Sequence, residues 1–186
     1  MMARTFFIVG TFIIGLLGLV MTNPLSDNAK AIKGIVTEIE DGDGFFVQAS
    51  SGRTEEIRLF GIDAPEWKQT CRTSHRKIVN CGSDIAYALE SKLKGQHVKC
   101  DGKNRDRWKR LIAICYHNKE DIGKRLVTDG HAWAFSRYSK RYVMAELKAR
   151  RAKVGYWSGE WEAPWVFRKK QTRIIPGAPI EPKEAN

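Results

Sequence analysis

The sequence predicts an α+β fold, a small five-stranded β-barrel carrying about three α-helices. Three observations point there. Short apolar runs at strand spacing alternate with Gly- and Asp-rich turns, longer stretches show apolar residues at helical spacing, and 186 residues suit one domain with an ordinary core. Residues 32–47 have strand periodicity interrupted by the turn formers Asp41-Gly42-Asp43-Gly44, which makes a hairpin with acids at its bend. Residues 56–62 supply a third strand. There Ile57 and Leu59 face one way while Arg58 and Phe60 face the other, so Arg58 turns away from the main apolar layer. Pro65 ends that strand, and 67–81 is a polar loop. A helix over 83–94 follows, with Ser83 as cap, Ile85, Leu89 and Leu93 on one stripe, and Gly95 as stop. Residues 96–100 and 111–116 are two further strands joined by the polar loop 101–110. Helices near 121–129 and 138–153 end at Gly130 and before Gly155. This order suits an OB-type barrel with a helical flank over 32–167. Residues 168–186 are basic and Pro-rich with little apolar surface, and are expected to form a disordered tail.

Residues 1–31 are set apart from this domain. The apolar run 5–21 follows Arg4 and is broken by Asn23-Pro24, as in a secretory signal with a small-x-small site at Ala29-Lys30-Ala31, or in an uncleaved N-terminal anchor. Export to the periplasm or beyond, with inner-membrane anchoring as the variant, makes the four cysteines readable as disulfides. Three pairings exist. Cys71 with Cys81 across a loop, and Cys100 with Cys115 on neighbouring strands, is favoured by proximity. A zinc site would need metal-type Cys or His spacing, which the sequence lacks. A net charge of +11 favours polyanions as partners, DNA and RNA above all; the charge also serves solubility or lipid contact. No obligate protein partner is evident, and a monomer is expected.

Chemistry concentrates in Asp41-Gly42-Asp43, in the run from Arg58 through Asp63-Ala64-Pro65 to Glu66, and in Asp106-Arg107-Trp108-Lys109-Arg110. Acids of this kind hold a hard divalent cation through oxygen, and arginine forks grip phosphate. In order and spacing these three motifs resemble the staphylococcal nuclease (thermonuclease) family, from about residue 32 to 165. The cysteine placement is similar to that of its exported bacterial members. The resemblance implies a calcium-dependent nuclease that cuts DNA and RNA to products with 3′-phosphate ends. It also implies residue roles. Asp43, Asp63 and the Ala64 carbonyl would ligate Ca2+ with Asp41 close by, Glu66 would position or deprotonate the attacking water, and Arg58 and Arg110 would grip the scissile phosphate. Tyr138 matches a tyrosine that lies against the nucleotide, and Arg107 adds a substrate contact.

Plainer readings exist for each residue. Asp41 and Asp43 serve turns, Arg58 and Glu66 suit an ion pair, Tyr138 suits core packing, and Trp157, Trp161 and Trp165 suit packing of the C-terminal segment. Two departures bear on the resemblance: Gly44 stands where the family has threonine, and Lys109 stands where it has glycine. The alternatives to a nuclease are a barrel that binds nucleic acid or protein without cutting, and an accessory role in exopolysaccharide (succinoglycan) biosynthesis, for which no residue argues.

Overall fold

The computed structural model describes residues 31–174, so almost all of the expected signal segment and the last twelve residues of the expected tail lie outside the described residues. Five strands build the barrel: β1 (Ile32–Ile39), β2 (Gly44–Ala49), β3 (Thr54–Leu59), β4 (His97–Arg105) and β5 (Leu111–His117). Antiparallel pairing runs β3-β2-β1-β4-β5, and a parallel pairing of β3 with β5 closes the cylinder. Closure removes the sheet edges that a five-stranded sheet would otherwise expose. Inside are Val36, Phe45, Val47, Ile57 and Ala113, all without solvent exposure.

The fold is α+β, with four α-helices among the described residues rather than about three: α1 (Cys81–Leu93), α2 (Ile122–Thr128), α3 (Val143–Arg151) and α4 (Pro164–Ile174). The start of α1 corrects the expected Ser83 cap. The helix begins at Cys81 with Asn80 at the cap position, three residues before Ser83; Asn80 makes no side-chain cap bond, and the Ser83 hydroxyl instead donates to the Asn80 carbonyl at 3.2 Å. Gly82 allows that early start. A Cβ there would sit 1.7 Å from the Glu66 carbonyl oxygen, so only glycine lets the first turn of α1 lie against the segment carrying Glu66. Asp121 caps α2 by accepting from the Lys124 N–H at 2.9 Å, and it also accepts from the buried Tyr142 hydroxyl at 3.0 Å. That contact tethers α3, which is shorter than expected because Tyr142 leaves helical geometry at its start. The expected loop 101–110 shrinks to a turn, since β4 stays paired with β5 out to Arg105 opposite Leu111. Polar composition misled there because both partners face solvent on one side.

Both disulfides join the favoured pairs, Cys71–Cys81 and Cys100–Cys115, and the latter two sit opposite one another in the β4–β5 register. No free cysteine remains among the described residues. Each bridge contributes about 3 kcal/mol by restricting the unfolded chain.

The largest departure is at the C-terminal end. Residues expected to begin a structureless tail at Arg168 continue a helix to Ile174. The physical reason is an aromatic cluster around Trp133, whose ring meets those of Trp157, Trp161 and Trp165 at 4.6, 5.5 and 5.3 Å between centroids. Trp165 lies in the first turn of α4, so the cluster supplies the apolar surface that the tail sequence lacks. Among the described residues, no helix is long and apolar enough to cross a membrane.

Candidate active site

The two arginine-bearing elements meet because β3 and β5 pair in parallel. Ile57 lies opposite Leu111 and Arg58 opposite Ile112, which sets Arg110 at the foot of the strand beside Arg58. Arg58, Phe60, Asp106, Trp108, Arg110, Phe135 and Tyr138 line one cleft. The two guanidiniums thus share a side of the molecule.

Arg58 is almost fully buried and is surrounded by acids. Its guanidinium pairs with Asp43, donates to Asp63 Oδ1 at 3.0 Å, and lies 3.6 Å from Asp41 Oδ2. Asp43 and Asp63 are themselves unexposed, and a buried carboxylate is tolerated only with a compensating cation and hydrogen bonds. Local structure aims them. The Asp43 N–H donates to Asp41 Oδ1 at 2.8 Å in an Asx turn, and the Ala64 N–H donates to Asp43 Oδ2 at 2.7 Å, which ties the β1–β2 bend to the segment after β3. Asp63 is fixed by backbone pairing with Trp133. The plain reading of Asp41 as a turn residue therefore holds as geometry, whereas the ion pair expected between Arg58 and Glu66 is replaced by pairs of Arg58 with Asp43 and Asp63 and of Glu66 with Arg168.

Gly44 opens this bend. A Cβ there would lie 3.0 Å from Glu40 Oε2 and 3.1 Å from Asp41 Oδ1, so a larger residue would have to displace one of these acids. Burial and the nearby charges of Asp41 and Glu56 raise the Glu40 carboxyl above its ordinary value.

Arg110 is held differently. Its Nε donates to Asp106 Oδ2 at 2.7 Å, while Asp106 Oδ1 accepts from the Trp108 and Arg110 backbone N–H groups at 3.0 and 2.9 Å. Burial opposes the Arg110 charge, but the bond to Asp106 and that carboxylate's charge outweigh it, so the guanidinium is held more firmly protonated than usual. Arg107 and Arg110 both lie over the Trp108 ring, 4.2 and 4.9 Å from its centroid. Arg107 is exposed at the cleft rim. Tyr138 packs edge-on against Phe135 at 4.7 Å, and Phe135 stacks on Trp165 at 5.6 Å, so Tyr138 is both a wall of the cleft and part of the packing.

Lys109 precedes Arg110 with φ 72°, a left-handed conformation that costs an L-residue about 1–2 kcal/mol. The turn nevertheless closes, with the Lys109 N–H donating to the Asp106 carbonyl at 2.9 Å and the Asp106 N–H to the Arg110 carbonyl at 3.1 Å. Lys109→Gly is expected to stabilise the fold by about 0.5–1 kcal/mol, the relief of strain being partly offset by greater unfolded-state freedom. A thermal midpoint raised by about 2–3 °C checks it.

Glu66 is partly exposed, and its N–H donates to Gln69 Oε1 at 3.2 Å. Gln69, itself buried, donates to the Glu162 carbonyl at 2.8 Å and so ties this loop to the chain just before α4. The residue that sequence reasoning missed is Arg168. From α4 it donates to Asp63 Oδ2 at 2.9 Å and to Asp63 Oδ1 at 3.3 Å, and it pairs with Glu66. Burial disfavours its charge, yet Asp63 and Glu66 more than compensate and raise its pKa. The spacing of Trp165 and Arg168, three apart, was the available signal, because such a pair shares one helix face.

Hard oxygen donors from Asp41, Asp43, Asp63 and Glu66 suit calcium rather than a softer metal. Among the described residues no three His, Cys, Asp or Glu side chains form a ready-made cluster, and the Arg58 and Arg168 guanidiniums supply the positive charge between them. The donor chemistry fits, with cations already standing where a cation belongs.

A sequence profile described as staphylococcal nuclease homologue matches residues 56–159, more than half of the chain. An uncharacterized endonuclease of Escherichia coli is 30% identical over 144 residues, covering 75% of this chain and 87% of its own. An uncharacterized endonuclease of Haemophilus influenzae is 30% identical over 125 residues, covering 66% of this chain and 65% of its own. A probable staphylococcal-like nuclease of Oryza sativa is 35% identical over 122 residues, covering 64% of this chain and 30% of its own. With the three motifs assembled on a closed barrel, the chain belongs to the staphylococcal nuclease family.

Proposed function

We propose that this protein is an exported, calcium-dependent nuclease that hydrolyses phosphodiester bonds of DNA and RNA and leaves 3′-phosphate ends. The observation that carries this reading is the shared cleft of Arg58 and Arg110 beside the acids Asp43, Asp63 and Glu66. The net charge of +11 favours polyanion capture, and the apolar run 5–21 with two disulfides favours export.

Asp43 and Asp63, with Asp41 nearby and the Ala64 carbonyl as a neutral oxygen, would hold Ca2+. Bound there, the ion supplies positive charge that draws phosphate oxygen and water together. Glu66 takes a proton from the attacking water as the new P–O bond forms. Arg58 and Arg110 meet the charge gathering on the phosphate oxygens, each through a planar fork that matches them. The P–O5′ bond then breaks, the departing 5′-oxygen takes a proton from solvent water to become a hydroxyl, and the phosphate stays on the 3′ side. Tyr138 and Arg107 line the path of the flanking nucleotides, the first as a flat stacking surface and the second as a phosphate contact.

The full chain incubated with plasmid and with RNA, in calcium or in chelator, beside Glu66→Gln, tests this reading. Cleavage in calcium alone, lowered about 100-fold or more by Glu66→Gln, is the expected result. Equal degradation in every tube would refute it.

A further inference from the structure

Arg168 reaches the acid cluster from an element that is lightly docked. Of α4, Trp165, Val166, Lys169 and Lys170 are exposed, and among its described side chains only Pro164 is fully buried. The helix is fixed at its start by Trp165 against Trp133 and Phe135, and by Lys170 pairing with Glu162 at 2.6 Å. A further anchor is electrostatic. The Arg168 side chain is only 11% exposed and forks onto both oxygens of Asp63 while pairing with Glu66.

Those are the oxygens needed by a metal ligand and by a proton acceptor in the reading above. A guanidinium and a divalent cation cannot take the same lone pairs of Asp63, and a Glu66 oxygen paired with Arg168 is not open to a water proton. We propose that Arg168 is a displaceable counter-cation: it holds Asp63 and Glu66 in the metal-free protein, and entry of calcium expels it and lifts α4 from the cleft. This inference rests on the calcium-nuclease reading and adds a regulation to it. In the metal-free protein Arg168 neutralises Asp63 and occupies one Glu66 oxygen, and arrival of the ion frees both. Conformational competition of this kind raises the apparent Kd by the inverse of the open fraction.

Calcium titration calorimetry on the full chain tests it, with Arg168→Ala, Arg168→Lys and Lys169→Ala beside the wild type. Arg168→Ala is expected to bind calcium about tenfold more tightly, if the latch is open about a tenth of the time. Arg168→Lys falls between, because the charge remains without the fork. Lys169→Ala, which removes an exposed charge from the same helix, is expected to change affinity by less than about twofold. A second measurement does not depend on any variant. Calcium should speed endoproteinase Lys-C cleavage after Lys169 and Lys170 in the wild type, since a released helix is open to the protease. Equal or weaker calcium binding by Arg168→Ala, an equal gain from Lys169→Ala, or calcium-independent proteolysis would overturn the latch while calcium-dependent DNA cleavage stands. Absence of calcium binding in every protein would remove the nuclease reading and the latch with it.

Discussion

Arg58→Ala is expected to lower kcat about 100- to 1,000-fold and to destabilise the fold by about 3–5 kcal/mol, the largest combined effect in the molecule. The two losses have different origins. In the proposed reaction, the catalytic loss follows from removing a fork that would meet the phosphate. The structural loss follows from burial: Asp43 and Asp63 have no solvent exposure, and both are neutralised by this guanidinium. Arg168 also compensates Asp63. Arg58→Lys should recover part of the stability and little of the activity, because one ammonium cannot serve Asp43, Asp63 and a phosphate with a fork's geometry. Urea unfolding of each variant beside cleavage of a defined oligonucleotide separates the terms, and a fully stable Arg58→Ala would show that the buried acids are neutralised by other means.

Arg110→Ala is expected to lose a similar factor in kcat, about 100- to 1,000-fold, with a stability cost of only about 1–2 kcal/mol. Its partner Asp106 keeps two backbone N–H donors when the guanidinium is removed, so no carboxylate is left bare. Part of the cost is the contact with the Trp108 ring, worth about 0.5–1 kcal/mol at such a site. A loss seen in KM alone would assign Arg110 to general substrate capture rather than to charge developing at phosphorus. The contrast between the two arginines comes from their surroundings, since the side chains are chemically identical.

Much of this was legible from residue order. Strand periodicity around Ile57 and Leu59 placed Arg58 on the opposite face, and the Asp41-Gly42-Asp43 bend appeared as expected between β1 and β2. Cysteine proximity gave the observed disulfides. Lys109, which stands where the family has glycine, does adopt a positive φ. The failures were at Ser83, at β4 beyond Cys100, and above all at α4. Local propensity describes a residue against its near neighbours, whereas Arg168 is stabilised by Asp63, 105 residues away, and Trp165 by Trp133. Arg141 and Arg150 illustrate the same limit. Arg141 pairs with Asp121 at 3.2 Å and Arg150 lies over the Trp157 ring at 4.0 Å, both partners coming from other elements.

By itself the sequence determined which groups are present and how they are spaced along each strand or turn: the paired acids of the bend, the alternation that sets Arg58 on the face opposite Ile57 and Leu59, and the run reaching Glu66. Only the tertiary structure decided which of them meet. Parallel pairing of β3 with β5 sets Arg110 beside Arg58, and an aromatic cluster lowers α4 onto Asp63 and Glu66. Spacing along a chain acts through bonds over a few residues. Neutralising a buried charge acts through space, and it recruits whichever cation the closed barrel brings within reach.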